Sequence, residues 1–79
     1  MTVKRSVVLN GHKTSVSIED AFWRALAAEA KASGRSLNVM IAEIDAGRGA
    51  DNLSSAIRLH VLRALQAKLA ALAGAPRAT

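Results

Sequence analysis

The sequence predicts a mainly α-helical domain that opens with a short N-terminal β-ribbon and ends in an additional C-terminal helix. Three observations lead there. Two β-branched runs, Arg5 to Leu9 and His12 to Ile18, flank Asn10-Gly11, the dipeptide that most favours a two-residue hairpin turn. From Ile18 onward apolar residues recur at three- and four-residue spacing, the period of helices with one buried face. With only 79 residues, the chain has room for one small domain, because a chain this short buries only about 60% of its unfolded surface.

The ribbon comes first in the chain. If Asn10-Gly11 closes a hairpin, Val7 faces Thr14, Arg5 faces Val16 and Val3 faces Ile18; with Leu9 they make a mostly apolar face. Lys4, Ser6, Val8, Lys13, Ser15 and Ser17 make the other, mostly polar face. The strands are expected at about 4–9 and 12–17, and the first run can equally remain a free arm. Ser17, with Asp20 three residues on, reads as a capping box, so the first helix is expected at about 18–33. It carries Ile18, Phe22 and Leu26 on one side, Lys31 in its last turn and Gly34 as a left-handed stop. A second helix, about 36–46, starts at Ser36 and turns Leu37, Met40, Ile41 and Ile44 inward. After the Gly47-Arg48-Gly49 break, Asp51 or Asn52 caps a third helix of about 52–71. There Ile57, Val61 and Ala64 form one row, and Leu62, Leu65, Leu69 and Leu72 another. The domain is expected to span 1–72, with residues 73–79 a disordered tail.

Composition sharpens this. Hydrophobic residues make up 51% of the chain, but seventeen positions are alanine, only Phe22 and Trp23 are aromatic, and cysteine is absent. A core so thin rarely contributes more than about 3–5 kcal/mol. The apolar strand face also looks too broad for one chain to bury. A homodimer is therefore expected, with strands paired across a two-fold axis and Val16, Ile18, Phe22, Leu26, Met40, Ile41, Ile44, Ile57 and Val61 as the dimer core. Absence of cysteine fits a reducing compartment. Val7-Val8-Leu9 is too short for a secretory leader and no run suits a membrane span; the expectation is a cytoplasmic protein with no membrane partner.

Charge is unevenly spread. Residues 1–17 hold three bases and no acid, residues 18–51 four bases and six acids, and residues 52–79 hold Arg58, Arg63, Lys68 and Arg77 and no acid, for a net charge of +5. A basic, acid-free arm is the footprint of a polyanion-binding surface.

In RSVVLNGHKTSVSIEDAFW, the turn GRSLN and GADNLSSAIRLHVL, which together cover most of residues 5–65, the chain resembles the ribbon-helix-helix (Arc/MetJ-like) DNA-binding family, particularly its small bacterial members. The resemblance implies a homodimer whose ribbon enters the major groove of double-stranded DNA while a helix N-terminus holds a phosphate. By position it makes Lys13, Ser15 and Ser17 base-facing. Ser36 with Asn38 is the first candidate for the phosphate grip and Asn52 with Ser54 the second, with Lys4, Arg5 and Arg35 assisting. The ribbons of the family usually offer longer donors, and here only Lys13 is long.

Plainer roles compete with each assignment. Lys13, Ser15 and Ser17 would also keep an exposed sheet face soluble, Trp23 suits packing against a neighbouring helix, and His12 and His60 have no companion at metal-ligand spacing. Neither a metal nor a cofactor is expected. No phosphate loop, nucleophile elbow or HExxH motif is present, so no enzyme is expected either. The main expectation is a small DNA-binding transcriptional regulator. The alternative is a dimeric protein-interaction module, antitoxin-like or adaptor, that uses the leucine-rich third helix to dock a protein partner or a second dimer.

Overall fold

A computed structural model describes residues 1–74. Two strands, β1 (Thr2–Leu9) and β2 (His12–Glu19), are followed by three helices, α1 (Asp20–Ala32), α2 (Leu37–Gly47) and α3 (Leu53–Leu72). The strands pair antiparallel within the chain, from Leu9 opposite His12 to Thr2 opposite Glu19. Residues 5–9 are therefore a hairpin strand and not a free arm. Asn10 and Gly11 adopt φ of 53° and 78°, the left-handed pair that a type I′ turn demands. This turn sets the register, and the register sets the faces. Val7, Leu9, Val16 and Ile18 point at the helices and are buried, whereas Lys4, Ser6, Val8, Lys13, Ser15 and Ser17 point away and are exposed.

All three helices pack on the apolar sheet face. Leu26 and Ala30 from α1, Met40 and Ile41 from α2, and Ile57 and Val61 from α3 complete one core with the four strand residues. Val16, Ile18, Leu26, Met40, Ile41, Ile57 and Val61 are each at most 2% exposed within one chain, and Phe22 and Ile44 pack half-buried around them. The expectation that the strand face needs a second copy to be buried is thus corrected. β1 supplies the pairing, and three helices are enough to roof a sheet only two strands wide.

Element boundaries differ from expectation mainly where the ribbon meets α1. The strand runs through Glu19, and the helix starts at Asp20. Ser17 caps nothing, because Glu19 is the residue before the first turn and no side chain caps it. Tertiary contacts explain the shift. Ile18 is drawn into the core opposite Val3, and the α3 residues Ser54 and Arg58 hold the Ser17 carbonyl and the Glu19 carboxylate.

The other helix ends follow their local signals. Gly34, at φ 70°, closes α1, with the Arg35 amide donating to the Ala30 carbonyl and the Gly34 amide to that of Lys31, a Schellman arrangement. Ser36 accepts from the Val39 amide at 3.1 Å and caps α2. Asn52, not Asp51, caps α3 by accepting from the Ser55 amide at 2.8 Å. Beyond Val61, α3 leaves the core and its leucines are exposed. Ala73 and Gly74 finish it as a turn, and the rest of the expected tail, 75–79, lies outside the described residues.

Ile57 sits fully buried between α3 and the sheet. Ile57→Ala is expected to cost about 2–5 kcal/mol, most of the stability of a domain this small. Urea unfolding followed by circular dichroism measures it, and an unchanged midpoint would contradict the single-chain core.

Candidate nucleic-acid interface

The outward sheet face is built by pairing. Lys4 lies opposite Ser17, Ser6 opposite Ser15 and Val8 opposite Lys13, and all six are exposed. Lys13, Ser15 and Ser17 thus stand in one row along β2, with Lys4, Ser6 and Val8 beside them along β1. Val8 is the one large apolar member, 48% exposed.

Hydrogen-bond parity gives β2 a second property. A two-residue turn makes Leu9 and His12 a hydrogen-bonded pair, and bonded and non-bonded pairs alternate from there. The amides and carbonyls of Lys13, Ser15 and Ser17 therefore point away from β1, toward the outer edge of β2. Contact with α3 agrees, since the Ser54 hydroxyl donates to the Ser17 carbonyl at 2.7 Å from that outer side. The side chains offered to solvent and the backbone groups offered to a further strand belong to the same residues.

The start of α3 lies beside this edge. Besides the bond from Ser54, Arg58 donates from Nε and Nη2 to both Glu19 carboxylate oxygens, at 2.7 and 3.3 Å. Leu53 shares a shallow surface depression with Leu9, Thr14 and Ser15. Of the two candidate helix N-termini, Asn52 with Ser54 is the one the fold brings to β2. Ser36 and Asn38 are exposed but follow α1, whose thirteen residues rise about 20 Å away from the end of β2.

The arginines meet different fates. Arg5, expected at a phosphate, is on the helix-facing side of the hairpin. Its Nη2 donates to Asp20 at 2.8 Å, its guanidinium lies 5.0 Å from the centre of the Trp23 ring, and its buried Nε has no hydrogen-bond partner among the described residues. This cation is committed to fixing β1 on α1, and Trp23, half-buried against the core, carries it on its ring. Arg35 pairs with Glu43 across the α1–α2 turn. Lys4 and Lys13 make no ion pair among the described residues. His60 Nε2 lies 2.8 Å from Glu29, joining α3 to α1.

Comparison with protein families is decisive at this point. The family model described as ribbon-helix-helix domain matches residues 2–65. The chain is a member of the ribbon-helix-helix family. No curated protein and no solved structure matches it. Within this ribbon-helix-helix chain the match takes in β1 as well as β2 and ends inside α3, so the last two turns of α3 lie beyond it. No helix among the described residues is long and apolar enough to cross a membrane.

The Arg58 hydrogen bond, aided by the backbone amide of Glu19, holds the Glu19 carboxyl below its ordinary value of 4.5. A lowered folded-state pKa means that the pair contributes stability above the unfolded value and loses it as pH falls through the folded one. In a carbon-13 NMR titration the Glu19 carboxyl is expected to titrate below 4.5 and to move back up in Arg58→Met. A wild-type midpoint at or above the ordinary value would remove Arg58 as the link between β2 and α3.

Proposed function

We propose that this protein is a DNA-binding regulator, acting as a homodimer in which two β2 strands pair across a two-fold axis and present Lys13, Ser15 and Ser17 to the major groove. The observation that carries this reading is the coincidence on β2: three exposed polar side chains at alternate positions whose backbone groups face an edge with no further strand, met by α3 at the Ser17 carbonyl, in a chain of the ribbon-helix-helix family. An edge of this kind is a template for a further strand, and a second copy offers the same edge in return.

Such pairing gives a sheet ordered β1, β2, β2, β1. Four strands about 4.8 Å apart span about 14 Å between the outer chains, more than the groove width of about 12 Å. Only the central pair enters, and each β1 lies above a phosphate rail, where Lys4 meets the backbone. Lys13 donates to guanine O6 or N7, and Ser15 and Ser17 serve donor or acceptor edges. The free amides at the start of α3, next to the ribbon, take a phosphate, favoured by the positive end of the helix. This assigns the phosphate grip to Asn52 and Ser54 ahead of Ser36 and Asn38. Arg5 contributes by holding β1 in place.

Electrophoretic shift on genomic fragments, at two salt concentrations, tests the assignment. Lys13→Ala is expected to reduce discrimination between preferred and random duplex by about 1–3 kcal/mol for each copy with the dimer intact. Lys4→Ala should weaken all duplexes alike and reduce the salt slope by about two, one for each copy. Ser54→Asp, which brings a negative charge to the start of α3, should weaken binding more than Ser54→Ala, which removes only the bond to the Ser17 carbonyl, and more than Ser36→Asp. Salt-independent binding, or full discrimination by Lys13→Ala, contradicts the geometry. The second reading, a dimeric protein-interaction module, draws support from the exposed leucines of α3. It would be the function of a chain with no affinity for any duplex at low salt.

A further inference from the structure

The last turns of α3 are apolar, basic and outside the packed domain. Residues 65–72 are all exposed, and Leu62, Leu65, Leu69 and Leu72 are 48%, 48%, 66% and 84% exposed. Their spacing of three, four and three residues places them on one face, the seam by which a helix meets another helix. High-propensity alanines at 64, 67, 70 and 71 keep this stretch helical without requiring the stripe to be buried. The family match stops at residue 65, so Leu69 and Leu72, half of the stripe, lie beyond it.

Charge identifies what covers it. From Asn52 to Thr79 the sequence contains no acid. Arg58 and His60 are answered by Glu19 and Glu29, but Arg63 and Lys68 make no ion pair among the described residues. Lys68 borders the leucine stripe, whereas Arg63 lies on the opposite side of the helix, toward α2. Pairing α3 ends from two copies would bring only positive charges together along an acid-free seam, whereas a helix with acidic flanks would neutralise them.

We infer that the C-terminal half of α3 is a docking surface for an acidic amphipathic helix of another protein, with leucine-type residues seated on Leu62, Leu65, Leu69 and Leu72 and carboxylates meeting Lys68. The surface lies apart from the outward sheet face, so a single dimer can hold DNA and this partner together. The inference does not depend on DNA binding: it stands or falls with the full chain and no duplex present.

A fluorescent helical peptide with leucine at its a and d positions and glutamate at e and g is the probe, and its lysine counterpart is the control. The acidic peptide is expected to bind the full-length protein, at least about tenfold more tightly than the lysine one, and less tightly as salt is raised. Leu65→Glu/Leu69→Glu should abolish binding with the circular dichroism spectrum unchanged. Lys68→Glu, a change at an exposed position outside the core, should weaken it with the circular dichroism spectrum unchanged. Failure of the acidic peptide to bind, equal binding of both peptides, or an unaffected Lys68→Glu variant would overturn the inference. So would a halving of mass in light scattering when Leu65 and Leu69 are replaced, because the stripe would then be closed by a second copy.

Discussion

The type I′ turn at Asn10-Gly11 determines what the rest of this molecule can do. Two residues with positive φ between two strands fix both register and hydrogen-bond parity, and each has a consequence. Register places Val7, Leu9, Val16 and Ile18 over the helices and Lys4, Lys13, Ser15 and Ser17 on the open side. Parity turns the backbone of Lys13, Ser15 and Ser17 outward from β2. A one-residue slip would bury a lysine and expose an isoleucine. Because a lone two-stranded hairpin is marginal in water, the turn acts together with the roof of α1, α2 and α3 and with the Arg5 contacts to Asp20 and Trp23, which tie β1 down far from the turn.

The same hairpin alters how a family member of this kind can approach DNA. A lone ribbon strand pairs with its mate and enters the groove as a narrow ladder. Here each β2 already has a companion, and the core is complete within one chain. In the proposed dimer a second copy would be favoured by the β2 edge and by shared reading of the duplex, not by the need to cover apolar strand residues. In the proposed dimer the outer strands would also bring their own outward residues, among them Lys4, to positions where phosphates run. The modest donors of β2, one lysine and two serines, would then work beside a second row of contacts.

Much of this was legible in the sequence wherever one residue type answers to one local geometry. Asn10-Gly11 announced the turn and its register, Gly34 the stop of α1, Ser36 the cap of α2, Asn52 with Asp51 the two candidates for the cap of α3, and the alternation around Val16 the two faces. Long-range contacts were not legible. Ser17 and Asp20 have the spacing of a capping box, yet the strand continues to Glu19 because Ser54 and Arg58, far along the chain, hold that segment extended. Arg5 looked like a free cation in a basic arm, and only the paired register shows that it faces Asp20 and Trp23. The choice between Ser36 and Asn52 beside the ribbon depended on how α1 and α3 run relative to β2, which periodicity does not encode. The leucines of α3 were visible as a stripe, but their exposure was not, since a helix on the edge of a core and a helix leaving it share the same pattern.

Amide and side-chain NMR shifts recorded while a duplex is titrated into the labelled protein address the central claim most directly. If the outward face of β2 is the reading surface, the largest changes fall on Lys13, Ser15 and Ser17, with smaller ones at Lys4 and the first turn of α3, while buried positions such as Leu26 and Met40 hold still. Changes confined to α3 beyond Val61, or spread evenly over every exposed lysine and arginine, would contradict it.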